Sequence, residues 1–152
     1  MLKKRIGIEA IEKDWSLRKY FKIPTSLIIP EGCEFVGTWT FYFCDNIEKV
    51  VIPKSVRWIG EGAFEWCKSL KDVEISNGCK RIGARVFAGC MKIEEIVIPE
   101  SVVRIGEEAF STCFRADVVV LNKSSEKDFK YLGRRAFKDC FTVKYVKEET
   151  GS

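Results

Sequence analysis

Seven cysteines are the residues of this chain best suited to chemistry, and five of them share one spacing. Cys44, Cys67, Cys90 and Cys113 follow one another at intervals of 23 residues, and Cys140 comes 27 later. Thiols at this density could pair as disulfides, hold zinc or supply a nucleophile. A nucleophilic thiolate wants a neighbouring base, and the chain has no histidine at all. A zinc site needs four ligands converging tetrahedrally, whereas an evenly spaced column runs in a line. Cysteines on adjacent coils about 4.8 Å apart would lie within disulfide reach. An odd count in one column and the absence of a Cys-x-x-Cys pair weigh against that pairing. The simplest reading is a ladder of buried thiols, since free cysteine is among the most buried residue types. The only other candidates for chemistry are the carboxylates of Asp72, Glu74 and Glu95. On an open sheet they stay solvated, with little to shift their pKa values, and read better as contact residues. With no nucleotide-binding loop either, the chain is expected to be no enzyme and to need no cofactor or metal.

The cysteines end a longer motif, Ile-Gly-x-x-Ala-Phe-x-x-Cys. It reads Ile59-Gly60…Ala63-Phe64…Cys67, then Ile82-Gly83…Val86-Phe87…Cys90, then Ile105-Gly106…Ala109-Phe110…Cys113. Looser copies are Val36-Gly37…Thr40-Phe41…Cys44 and Leu132-Gly133…Ala136-Phe137…Cys140. A fixed period between 20 and 50 residues signals stacked coils. The glycine either takes a backbone conformation that a Cβ would hinder or lets coils approach closely. The phenylalanines are expected to stack as an interior spine, each ring burying roughly 150–250 Å².

Six and eight residues after each Cys come apolar pairs: Val50 and Ile52, Val73 and Ile75, Ile96 and Ile98, Val119 and Leu121. Leu27 and Ile29 fit the same slots in the first full coil. Apolar residues two apart mark a strand with one face inward. Pro30, Pro53 and Pro99 follow three of these strands and end them, having no N–H to give a ladder. A short return then carries Cys33, Val56, Cys79 or Val102, so Cys33 and Cys79 also count as interior thiols. One strand per coil gives a parallel sheet along one side of a solenoid. The 27-residue step to Gly133 places a four-residue insertion in the polar stretch 122–129, expected to bulge at the surface.

The expected organisation is one domain over 1–152. Residues 1–26 form a cap, within which Ile6-Gly7…Ala10-Ile11…Asp14 is a degenerate repeat; about five repeats span 27–146, and 147–152 are a polar tail. A short helix over Glu9–Lys19 is also expected. At 152 residues, 46% hydrophobic and 32% charged, the chain can bury a sizeable core. No apolar run approaches the roughly 20 residues of a membrane span. Compartment is left open: if Met1 is the native start nothing directs export, and a removed signal would place the protein at the surface or in the periplasm. A net charge of +4, with acids and bases alternating, gives no basic stripe for nucleic acid.

The run apolar-x-apolar-Pro, then Ser-Val-x-x-Ile-Gly-x-x-Ala-Phe-x-x-Cys, resembles the BspA-like, or Treponema pallidum type, leucine-rich repeats. Val50 to Cys67 and Ile96 to Cys113 match best, and the resemblance spans about residues 27–146. It implies a curved right-handed coil with a parallel sheet on the concave side, one strand per repeat and little regular helix. Known members are bacterial and protozoal, many surface-associated, and linked to adhesion and protein–protein contact. The resemblance carries no catalytic residue.

The residue between the two buried ones of each strand must face outward. That column is expected to be Ile28, Val51, Glu74, Val97 and Val120, with Ser26, Lys49, Asp72, Glu95, Val118 and Tyr145 two positions earlier. Apolar residues facing solvent in a contiguous patch mark an interaction site, although β-branched residues favour strands wherever they sit. The expected partner is a protein or peptide held on Ile28, Val51, Val97, Val118 and Val120, with Lys49, Glu74, Glu95 and Tyr145 setting polarity and register. A second interface is expected on the aromatic flank of Phe35, Trp39, Trp58 and Trp66, where Phe35 and Trp58 share a column with Arg81, Arg104 and Tyr131. The alternative reading is a self-associating homo-oligomer formed through either surface.

Overall fold

A computed structural model describes residues 23–148. The expected cap helix over Glu9–Lys19 and the degenerate repeat lie outside the described residues. The rest is a β-solenoid of stacked coils, each with one longer and one two-residue strand. The longer strands are β1 (Ser26–Ile28), β3 (Lys49–Ile52), β5 (Asp72–Ile75), β7 (Glu95–Ile98), β9 (Asp117–Leu121) and β11 (Thr142–Val146). They pair in parallel in chain order as one six-stranded sheet. The short strands β2 (Phe35–Val36), β4 (Trp58–Ile59), β6 (Arg81–Ile82), β8 (Arg104–Ile105) and β10 (Tyr131–Leu132) form a parallel five-stranded sheet. The turn between the two strands of a coil often starts at the proline: Pro30, Pro53 and Pro99 each accept a hydrogen bond from the N–H three residues on.

The Ile-Gly-x-x-Ala-Phe-x-x-Cys segment returns the chain to the next long strand without forming a helix. In every described coil the second and fourth variable residues take left-handed backbone. They are Trp39 and Phe43, Gly62 and Trp66, Arg85 and Gly89, Glu108 and Thr112, Arg135 and Asp139, with φ between 53° and 75°. Alternating hand stops an α-helix from propagating and turns the backbone amides along the solenoid axis. The N–H groups of Trp39, Phe41 and Phe43 donate to the carbonyls of Glu61, Ala63 and Glu65 in the next coil, at 2.8–2.9 Å. Three such bonds recur at each of four coil junctions, the last running from Glu108, Phe110 and Thr112 to Arg134, Ala136 and Lys138. This third ladder joins the coils alongside the two sheets.

The motif glycines owe their identity to close approach and not to backbone hand. A Cβ on Gly60 would meet the Thr38 amide nitrogen at 2.7 Å, and one on Gly83 the Glu61 nitrogen at 2.8 Å. On Gly106 it would strike the backbone of Ala84, and on Gly133 that of Glu107. Gly62 and Gly89 serve a different purpose: the Trp39 and Trp66 indoles lie where their Cβ atoms would be.

The core is a set of columns running the length of the solenoid. Phe41, Phe64, Phe87, Phe110 and Phe137 stack face to face with centroids 5.2–5.6 Å apart and planes within 20° of parallel. A column that sequence reasoning missed, Ile47, Leu70, Ile93 and Ala116, stands three residues after each Cys and is fully buried. The seven cysteines are free thiols, and all but the half-buried Cys140 are buried. Each thiol from Cys67 to Cys140 in the main column donates to the carbonyl of the Phe in the preceding coil, Phe41, Phe64, Phe87 and Phe110, at 3.1–3.2 Å. Each of these carbonyls also accepts from the backbone N–H of the Cys in its own coil, at 3.1–3.3 Å, so the thiol is its second donor and ties one coil to the next. Burial pushes the pKa of Cys79 and Cys140 up to about 11, and those of Cys90 and Cys113 upward as well. Burial thus favours the protonated thiol over the thiolate at these four positions.

One expectation about strand register is corrected. In β9, Val118 and Val120 are fully buried and Val119 faces out. Ala116 fills the column of Ile93, but only one residue separates it from Val118, where two separate Ile93 from Ile96. The strand pairs accordingly, Ile96 with Val118 and Ile98 with Val120. A one-residue shift moves every side chain to the opposite face. Tyr145 is moved likewise: it pairs with Val120, packs against the core and leaves the outward place to Lys144. Burial pushes the Tyr145 hydroxyl pKa up, and its oxygen has no hydrogen-bond partner among the described residues.

The residue lost before β9 raises the insertion after it to five, counted from Val120 to Phe129 (nine apart) against Ile98 to Val102 (four apart). The insertion is more ordered than a bulging loop. It forms a 3-10 turn, η1 (Glu126–Asp128), closed by a capping box between Ser125 and Asp128. Lys123 is buried beneath it, with Nζ donating to the Glu100 carbonyl at 3.0 Å and lying 4.9 Å from the centre of the Phe129 ring.

Candidate interaction surface

The outward face of the six-stranded sheet carries two rows. One row is Ile28, Val51, Glu74, Val97, Val119 and Lys144; the other is Ser26, Lys49, Asp72, Glu95, Asp117 and Thr142. Ile28 is 66% exposed, and Val51, Val97 and Val119 are partly exposed between their neighbours. Four of the six places in the first row are thus apolar and open to solvent. Strand pairing holds them in line along the solenoid about 4.8 Å per step.

The second row is more acidic than the sequence reading had it, because Asp117 replaces Val118. Asp72, Glu95 and Asp117 are directly paired across β5, β7 and β9. Thr142 donates to the Asp117 carboxylate at one end. At the other end Lys49 bonds to Glu74 at 2.7 Å, diagonally across the rows, and this contact raises the Lys49 pKa. Like charges side by side across strands oppose folding, so this row carries a cost.

The aromatic flank divides into two columns. Phe35, Trp58, Arg81, Arg104 and Tyr131 are the outward residues of the five-stranded sheet, and all are exposed. Phe35 and Trp58 are 6.3 Å apart at a tilt of 35°. Trp39 and Trp66 belong to the left-handed turns instead. Trp39 lies on Gly62, edge-on to Tyr42 at 5.3 Å and 5.8 Å from the Arg85 guanidinium. Trp66 lies on Gly89 and stacks 6.1 Å from Phe43, so it is half-buried, contrary to the exposure expected of it. The four aromatics do not share one column.

A third apolar feature escaped the sequence reading. The residues just after the motif cysteines are Asp45, Lys68, Met91, Phe114 and Phe141, polar at the start and apolar toward the C-terminus. Met91, Phe114 and Phe141 are 37%, 52% and 71% exposed. They lie just ahead of β7, β9 and β11 in the chain and enlarge the apolar surface on offer there. Reading that one column down the repeats would have found them.

Two stacked parallel sheets, a buried Phe spine and a variable outward face define a leucine-rich-repeat-type solenoid, a scaffold generally used for protein contact and not for catalysis. The family model for the BspA type leucine-rich repeat region matches residues 19–117 in six copies, and the chain belongs to that family. Among solved structures, a leucine-rich repeat protein of Treponema pallidum is 33% identical with a TM-score of 0.69, covering 77% of this chain and 55% of its own. A leucine-rich cell surface protein of Faecalibacterium prausnitzii is 28% identical with a TM-score of 0.70, covering 86% of this chain and 35% of its own. A leucine-rich repeat protein of Bacteroides ovatus is 27% identical with a TM-score of 0.67, covering 81% and 35%. The chain therefore spans about half or less of the solved chains it matches. No curated protein matches it in sequence.

Proposed function

We propose that this chain is a non-enzymatic binding module that holds a protein or peptide partner on the outer face of its six-stranded sheet. The observation that carries this reading is the solvent-facing row of Ile28, Val51, Val97 and Val119. Exposed β-branched residues aligned over several strands leave apolar area that a partner would remove from water, at about 25 cal/mol per Å². The adjacent acidic row of Asp72, Glu95 and Asp117 selects the partner's polarity: apolar side chains opposite one row, Lys or Arg opposite the other. A role in adhesion or host contact fits the Faecalibacterium relative, whose name places it at the cell surface.

The test is partner capture from an extract of the source organism by wild type and by Val51→Asp/Val97→Asp. Both side chains face outward, so the double variant keeps its melting temperature within a few degrees. It is expected to lose the captured partner at least tenfold. Undiminished capture by a folded double variant would move the site to another surface.

A further inference from the structure

Two arginines stand side by side at the middle of the five-stranded sheet's outer face. Arg81 and Arg104 are directly paired across β6 and β8, about 4.8 Å apart at the backbone. Both are exposed, and neither guanidinium has an ion pair or a side-chain hydrogen bond among the described residues. The two carboxylates that border the same recess pair with other arginines: Glu61 with Arg85 at 2.7 Å and Glu107 with Arg134 at 3.5 Å. Like charges directly opposite across strands oppose folding, and no described side chain offsets this pair.

The same row places a ring on each side of the arginines. Trp58 pairs with Arg81 and Tyr131 with Arg104, at 39% and 50% exposure. Trp58, Arg81, Arg104 and Tyr131 thus form a line about 14 Å long, three strand steps. Together with Glu61 and Glu107 they border an open recess of about 520 Å³, within the range of small-ligand sites. Paired guanidiniums present forked N–H donors that match a carboxylate. The exposed rings offer flat apolar area beside water. A carboxylate has about four acceptor sites, so Glu61 and Glu107 can also accept from hydroxyls while repelling added negative charge.

We infer that this face binds an unsulfated uronic-acid polysaccharide. One sugar carboxylate sits between Arg81 and Arg104, the C–H faces of the sugars on either side lie on Trp58 and Tyr131, and ring hydroxyls donate to Glu61 and Glu107. Acidic groups and hydroxyls together are what this mixed recess matches. A sulfated glycan or a nucleic-acid strand brings denser negative charge against the two glutamates, and a net charge of +4 supplies no basic stripe to hold it. The site lies on the other sheet from the proposed protein-binding rows, so each can fail without the other.

The test is calorimetric titration of the full chain at fixed salt. The probes are oligogalacturonate and oligomannuronate, each as the carboxylate and as the methyl ester, with heparin fragments and a single-stranded oligonucleotide as denser anions. Wild type is expected to bind at least one of the two carboxylates, at least tenfold more tightly than its ester and more tightly than either denser anion. Arg81→Gln/Arg104→Gln is expected to lose at least tenfold in that affinity, and with it the preference over the ester. Val51→Asp/Val97→Asp, on the other sheet, binds the sugar as wild type does. Both arginines are exposed, so their variant keeps its urea midpoint, which separates lost binding from lost fold. No binding of either carboxylate overturns the inference, as do equal binding of carboxylate and ester, tighter binding of heparin or the oligonucleotide, or undiminished binding by the arginine variant.

Discussion

Phe87→Ala is expected to lower the free energy of unfolding by about 3–5 kcal/mol, the range for emptying a large aromatic from a closed core. Phe87 has no exposed surface and stacks on Phe64 and Phe110, both at 5.6 Å. Truncating it opens the spine at the middle of the solenoid and removes ring contacts at two junctions at once. In a repeat protein stability is close to a sum of coil terms and nearest-neighbour interfaces. The same change at Phe137, which has one ring neighbour and some exposure, is therefore expected to cost clearly less. Against a typical total of about 5–15 kcal/mol, the central truncation takes roughly a fifth or more. Urea unfolding followed by the fluorescence of the four tryptophans reads both variants. Equal losses at the two positions would mean that the spine does not act as a stack of neighbour contacts.

Gly106→Ala is the second large effect, and it adds a single carbon. The new Cβ would sit against the amide nitrogen and Cα of Ala84 and the carbonyl carbon of Gly83. All three are backbone atoms of the preceding coil, held by the β6–β8 pairing and by the bond from the Gly106 N–H to the Ile82 carbonyl at 2.8 Å. No side chain can swing aside to make room. Forcing a methyl into packed space costs about 1–3 kcal/mol, and a backbone obstacle puts this site at the upper end. The loss appears as a lower urea midpoint, with faster amide exchange in β6 and β8. An unchanged midpoint would show that coil spacing is softer than the glycine column implies.

The period of the Ile-Gly motif made the solenoid legible because stacking demands identity at the same place in every coil. Phe64, Cys67 and Gly60 recur for that reason, and the interior columns follow from counting. What counting could not reach was local. Val118-Val119-Val120-Leu121 is apolar throughout, so the sequence carries no parity there, and a residue missing after Ala116 turned the strand over unseen. Asp117 held the clue, since its charge belongs with Glu95 and Asp72 on the outer row. The role of the glycines was equally hidden. Close approach and left-handed backbone both select Gly, and here the left-handed positions are held mostly by other residues, such as Trp39, Arg85 and Glu108. Trp66 could not be placed without Gly89, whose missing side chain makes room for the indole.

The proposal that the outer face of the six-stranded sheet binds the partner is tested most directly by photo-crosslinking. A photoreactive phenylalanine analogue is placed singly at Val97, Val119 or Trp58, and each protein is irradiated in an extract of the source organism. One common protein adduct is expected from Val97 and Val119 on the six-stranded sheet, and none from Trp58 on the five-stranded sheet. An adduct from Trp58 with nothing at Val97 or Val119 would contradict it and move the binding face to the other side of the solenoid.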